Sequence, residues 1–168
     1  MNRLPDKLFR AFYRIAYILM RVFCFVFRPQ TRGVVIAICH KDRVLIIKNS
    51  YYHQFALPGG YVKRHETPRA AAVRELQEEV GLKIAPKRLR LIHQFKAQVQ
   101  HKREILTFFE ADFSTRPLIR PDNREVVWAA FVPLANALSM NLSSDVRVCL
   151  NKLGTEIRSP LRRGNAVR

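Results

Sequence analysis

Acidic residues are scarce in this chain: 13 Asp and Glu stand against 30 Lys and Arg, for a formal net charge of +17. Such a balance draws polyanions, namely nucleotides, RNA or an anionic membrane surface. Cysteines are few as well. Cys24, Cys39 and Cys149 are odd in number and form no CxxC pattern. They offer no disulfide framework and read as reduced core residues of a cytoplasmic protein. Long apolar runs are missing too. Arg14 and Arg21 cut the N-terminal apolar stretch into uncharged runs at 15–20 and 22–27, six residues each. Neither suits a membrane-spanning helix or a signal-peptide core. There are no internal repeats, no low-complexity tracts and no aromatic-plus-basic RNA motif, which makes nucleic acid the lesser partner expectation.

What is present is enough for one domain with a real core: 168 residues, 48% of them apolar. Four of the 13 acids crowd into residues 66–79, so the rest of the chain is a polycation holding one acidic pocket. Glu75, Glu78 and Glu79 share one helical stripe by their i, i+3, i+4 spacing, with Glu66 nine residues upstream. Like charges so placed repel unless a cation sits against them. Arg74, four residues before Glu78, ties down one carboxylate, which leaves hard divalent cations such as Mg²⁺ as the natural partner of the others. The helix is signed by Thr67 as N-cap, Pro68 at its first position and Gly81 as a left-handed stop. Val73, Leu76 and Val80 form the stripe expected to enter a core, on roughly the opposite side from the acids, and Ala71 lies among the acids. Pro58-Gly59-Gly60 forms a tight turn before it.

From Gly60 through Glu66 to Arg74-Glu75-Leu76-Gln77-Glu78-Glu79-Val80-Gly81-Leu82, the stretch resembles the Nudix box at every defined position. Lys63 and His65 stand where many relatives have an acid and a glycine. The resemblance implies an α/β fold, an α/β/α sandwich with a mixed sheet, and hydrolysis of a nucleoside diphosphate linked to another moiety with Mg²⁺ or Mn²⁺. It implies Glu78 and Glu79 as the main metal ligands and Glu75 as either a ligand or the general base. Arg74 would orient the carboxylates, and the Gly60 carbonyl would complete the metal shell. An acid six residues before an aromatic, here Glu125 and Phe131, supplies a further ligand in many relatives. Some subfamilies carry a proline or tyrosine about sixteen residues past the box. Ala97, Gln98, Val99 and Gln100 match neither pattern, so the substrate stays open.

Before the box, residues 4–28 form an amphipathic helix. Arg3, Lys7, Arg10, Arg14, Arg21 and Arg28 are spaced 4, 3, 4, 7 and 7, and fall within roughly 60° of one another. The helix either lies on an anionic membrane surface, making the enzyme peripheral on the inner face of a membrane, or packs on the domain or a second copy in a homodimer. Pro29 ends it, RPQTRG reads as a linker, and the core begins at Gly33. The chain therefore divides into residues 1–30, a domain at 31–154 and a basic, flexible tail at 155–168.

Within the domain, Val34–Ile38 and Val44–Ile47 read as strands covered on both faces, and Leu89–Val99 and Glu104–Phe113 as two more, joined by a polar connection through Gln100 and His101. Of the aromatics before the Pro-Gly-Gly turn, Tyr52 and Phe55 either stack on a nucleobase or close the core. Arg120, in the loop STRPLIRPDNRE, is a candidate contact for phosphates. Pro133–Leu138 reads as a short helix, and a last helix carrying Val146, Leu150 and Leu153 is expected to stop at Gly154. The leading expectation is a hydrolase of a nucleotide-type substrate. Its rivals are an RNA-binding or decapping-like protein and a membrane-surface hydrolase of a lipid-linked nucleoside diphosphate.

Overall fold

The computed structural model describes residues 4–99 and 102–158. Gln100, His101, Arg3 and the tail from 159 lie outside the described residues. After helix α1 (Leu4–Phe27), the strands β1 (Gln30–His40), β2 (Arg43–Asn49), β3 (Phe55–Ala56) and β4 (Gly59–Tyr61) lead into helix α2 (Pro68–Val80). Strands β5 (Arg90–Val99), β6 (Lys102–Asp112) and β7 (Val126–Pro133) follow, and helices α3 (Leu134–Leu138) and α4 (Ser144–Arg158) close the chain.

All seven strands join one mixed sheet with the central order β3-β2-β1-β6-β5, with β4 paired to β1 and β7 to β2. Strands β1 and β6 run parallel, and the other pairings are antiparallel. Side chains alternate faces along a strand, so β1 serves two cores. Val34, Ile36 and Ile38 pack with Ala71, Ala72, Leu76 and Val80 of α2. Val35, Ala37 and Cys39 pack with Val146, Cys149, Leu150 and Leu153 of α4. Both faces being covered explains why β1 and β2 are apolar without alternation. This is the α/β/α sandwich that the box implies.

Three expectations are corrected, and the contacts of α1 are defined. Gln30–Arg32 is not a linker, because it opens β1 and pairs in register with Arg103–Ile105. Gly154 does not stop the last helix, which runs to Arg158; a glycine weakens a helix by about 1 kcal/mol without ending it when packing continues. Helix α2 does not divide cleanly into acids and apolars either. Ala71 and Glu79 are buried together with Leu76 and Val80, while Val73 is only half-buried. Finally, α1 meets the domain through aromatic and polar groups. Tyr13 stacks on Tyr51, Tyr17 tilts against Tyr51 and meets the edge of Tyr52, and Cys24 is buried. Arg10 donates to the Asn123 carbonyl, Arg14 to that of Ser50, and Asp6 pairs with Arg124.

All three cysteines are buried, and burial pushes the Cys149 thiol up to about 12. Cys24 is shielded only while α1 stays docked, whereas Cys39 and Cys149 sit in the sandwich core. In a denaturant series read by mass spectrometry after a pulse of thiol reagent, Cys24 should label first, at concentrations where Cys39 and Cys149 remain protected. Labelling of all three together would show that α1 and the sandwich unfold as one unit.

Candidate active site

Helix α2 positions the acids. Thr67 accepts from the Ala70 amide, Pro68 begins the helix, and Gly81 closes it at φ 68°, its amide bonded to the Gln77 carbonyl. This placement sends Glu75 and Glu79 toward β4 and leaves Glu78 on the more open side. His65, in the turn before the helix, takes φ 64°, a left-handed value at the place where many relatives of the box carry glycine.

Arg74 does more than tie down one carboxylate. Its guanidinium meets Glu66 at 2.9 Å, Glu75 at 2.7 Å and Glu78 at 3.0 Å, and also donates to the Tyr61 carbonyl. Its hydrogen bonds hold Glu66 below the usual carboxylate range and make Arg74 itself harder to deprotonate. Glu79 faces the other way. It is 4% exposed and accepts the Gly59 amide at 2.9 Å. Burial first, and then repulsion from Glu125, Glu75 and Asp122, pushes its carboxyl well above the usual range. Burial likewise raises Glu75 and Glu125. Glu125 accepts a hydrogen bond of 2.7 Å from the Tyr51 hydroxyl. Its neighbours Asp122 and Arg124 are held in a side-chain turn, where the Asp122 carboxylate caps the amides of Arg124, Glu125 and Val126.

Gly60 belongs to the same cluster, since a Cβ there would run into the Glu75 carboxylate. Tyr52 is brought in as well. With Gly60 and Glu79 it lines a cleft of about 200 Å³ whose far wall is formed by Tyr17 and Met20 of α1. Phe55 instead meets Trp128 edge-on and packs toward the core on the α4 side, so of its two readings the structure gives core closure. Arg120 is exposed; its amide is bonded to the Val80 carbonyl at the end of α2, and it is not among the residues lining the cleft.

Sequence reasoning missed Tyr51, Tyr17 and Met20, whose roles come from α1 docking rather than from any local pattern. It also missed Glu104, a buried acid of β6 that lines the same cleft; it follows Lys102-Arg103 at the polar start of the strand, which gave no signal of burial.

Among the described residues, no three acidic, histidine or cysteine side chains converge as they stand into a ready-made ion site, because Arg74 holds Glu75 and Glu78 while Glu79 turns to Gly59. The chemistry of the donors nonetheless fits a hard cation. All are oxygens, and Glu79, buried, and Glu125, half-buried, are carboxylates with no ion-pair partner among the described residues.

A model of the Nudix domain matches residues 21–152, most of the chain. The chain belongs to the Nudix family. An RNA pyrophosphohydrolase of Aeromonas hydrophila is 47% identical over 58 residues, 34% of this chain and 31% of that protein, so the chain spans about a third of that curated relative. The MutT protein of Methanosarcina mazei superposes with a TM-score of 0.67 at 20% identity, over 79% of this chain and 99% of the other. A bifunctional NMN adenylyltransferase/ADP ribose pyrophosphatase of Francisella tularensis, complexed with AMP and a manganese ion, gives 0.67 at 18% identity over 87% of this chain and 47% of the other. At these identities the two structures establish the shared Nudix fold.

The two glycines of the turn should separate fold from site. A Cβ at Gly59 would strike the Val34 carbonyl, which is backbone of the central strand, so Gly59→Ala should cost about 1–3 kcal/mol in thermal or urea unfolding. At Gly60 the obstacle is the end of the Glu75 side chain, which can move at the cost of its bond to Arg74, so Gly60→Ala should destabilise less than Gly59→Ala. Equal destabilisation by both would show that the Glu75 carboxylate is clamped as firmly as backbone.

Proposed function

We propose that the protein hydrolyses a diphosphate linkage in a nucleoside diphosphate derivative, with Mg²⁺ or Mn²⁺ held by Glu75, Glu78, Glu79, Glu125 and the Gly60 carbonyl. The observation that carries this reading is the buried Glu79 carboxylate, set beside the Gly59-Gly60 turn and repelled by Glu75 and Glu125. Charges so arranged are tolerable when a cation offsets them. A bound divalent ion supplies Lewis-acid polarisation of phosphoryl oxygens and offsets the charge that grows in the transition state. The chain supplies the rest. Glu75, 2.7 Å from the Arg74 guanidinium, is placed to take the proton of the attacking water as its oxygen bonds to phosphorus and the bridging P–O bond breaks. Arg74 fixes the direction of Glu75 and Glu78. Tyr52 and Tyr17, on the cleft wall, suit a nucleobase.

A basic recess of about 650 Å³, lined by Arg10, Arg14, Arg21, Lys48, Tyr52 and His53 among others, adjoins the cleft and suits the anionic part of such a substrate. The compartment we assign is the cytoplasm, in keeping with three unpaired thiols. A second reading, action on the 5′ end of RNA, draws on the Aeromonas relative and the charge of +17. Steep salt dependence for long RNA, absent for a mononucleotide, would favour it.

The test is a panel of sugar-linked, dinucleoside, triphosphate, lipid-linked and RNA-end diphosphates, incubated with Mg²⁺ and scored for released phosphate or monophosphate. At least one should be cleaved. Glu78→Gln and Glu79→Gln should each lower turnover on the order of 10²-fold or more while retaining the fold. Glu79→Gln should melt no lower than the parent, because it removes a buried charge. Undiminished Mg²⁺-dependent hydrolysis in either variant would overturn the assignment.

A further inference from the structure

Helix α1 places its apolar side away from the protein. Residues Asp6, Arg10, Tyr13, Tyr17, Met20 and Cys24, with Ala16 beside them, are those turned to the domain, and the six follow a 4-3-4-3-4 spacing that forms one stripe. Leu8, Phe12, Ile15, Leu19, Val22 and Val26 occupy roughly the opposite side, and each is between 58% and 74% exposed. Isolated exposed hydrophobics are ordinary, but an unbroken apolar face over 24 residues marks a docking surface. No described helix is long and apolar enough to cross a membrane.

Charge selects the occupant. Lys7, Arg14 and Arg21 are exposed on one flank of the apolar face. Arg14 donates to the Ser50 carbonyl, and both arginines also border the basic recess. The helix's one acid, Asp6, is turned inward to Arg124. A second copy would bring another net charge of +17 and another row of arginines against this flank. An anionic bilayer offers hydrocarbon for the apolar side and phosphates for the arginines, whose long stems let the charged heads reach the headgroup layer. We propose that α1 is an in-plane membrane helix that docks the protein on anionic lipid, apolar face down and domain on the far side.

The same helix contributes Tyr17 and Met20 to the catalytic cleft. The bilayer surface would then lie about one helix diameter, roughly 10 Å, from the cleft wall. The docking itself assumes nothing about the reaction performed there.

Vesicle flotation of the full chain tests it. The protein should float with vesicles of equal parts phosphatidylcholine and phosphatidylglycerol, and at least ten-fold less with phosphatidylcholine alone or in high salt. The triple variant Ile15→Ser, Leu19→Ser and Val22→Ser alters only exposed side chains and should melt like the parent while losing at least ten-fold in binding to the anionic vesicles. Lys7→Gln with Arg21→Gln should weaken binding to anionic vesicles selectively. Failure of the full chain to float, or equal flotation on neutral and anionic vesicles, would overturn the proposal. So would light scattering that shows a dimer dissociated by the serine variant in a chain that does not float, since a second copy would then be the occupant.

Discussion

One guanidinium organises the acidic face of this molecule. Arg74 reaches Glu66 in the loop before α2, Glu75 and Glu78 on α2 and the Tyr61 carbonyl at the end of β4, so a single side chain ties turn, helix and sheet edge together. Because it is half-buried, these bonds are made partly out of water, where they are stronger and where losing one partner is costly. Arg74 does not reach Glu79 or Glu125, and these carboxylates, one buried and one half-buried with no ion-pair partner among the described residues, are what make the cluster more than a solvated acidic surface. The fold holds those carboxylates in place through groups that cannot neutralise them, the Gly59 amide and the Tyr51 hydroxyl.

That constraint extends to the N-terminal helix. Tyr51 bonds Glu125 through its hydroxyl and meets Tyr13 and Tyr17 through its ring. One residue therefore connects an acid of the site to α1, and Tyr17 and Met20 continue the contact along the cleft. A helix attached in this way forms part of the cleft wall as well as an external surface. Its removal would open the cleft and expose Tyr51 to water.

How much of this the sequence disclosed depends on whether the signal was local. Thr67, Pro68 and Gly81 announced α2 because capping is decided by a few neighbouring residues, and the β-branched runs announced strands buried on both faces. The box announced the acids. The orientation of α1 was not legible, because an amphipathic pattern reports that two faces exist and not which one meets the domain. Here the half-polar stripe from Asp6 to Cys24 docks and the apolar side does not, opposite to the usual arrangement of a surface helix. Gly154 misled for a related reason. It resembles a helix stop, but Leu150 and Leu153 are fully buried on the preceding turn and packing carries the helix past it.

The distribution of charge follows from the same geometry. The basic recess and the acidic cleft share Tyr17, Asn49, Tyr51 and Tyr52 among their lining residues, so the two regions are contiguous. A phosphorylated ligand approaching a protein of charge +17 is attracted over distances near a Debye length, about 8–10 Å at physiological salt. On arrival it meets arginines at the recess and carboxylates at the cleft. The arginines attract a phosphate, but the carboxylates repel one unless a divalent ion lies between. Opposed fields a few side chains apart thus accord with the proposed substrate, whose anionic body would be held in one region while a single linkage met the carboxylates of the other through an ion.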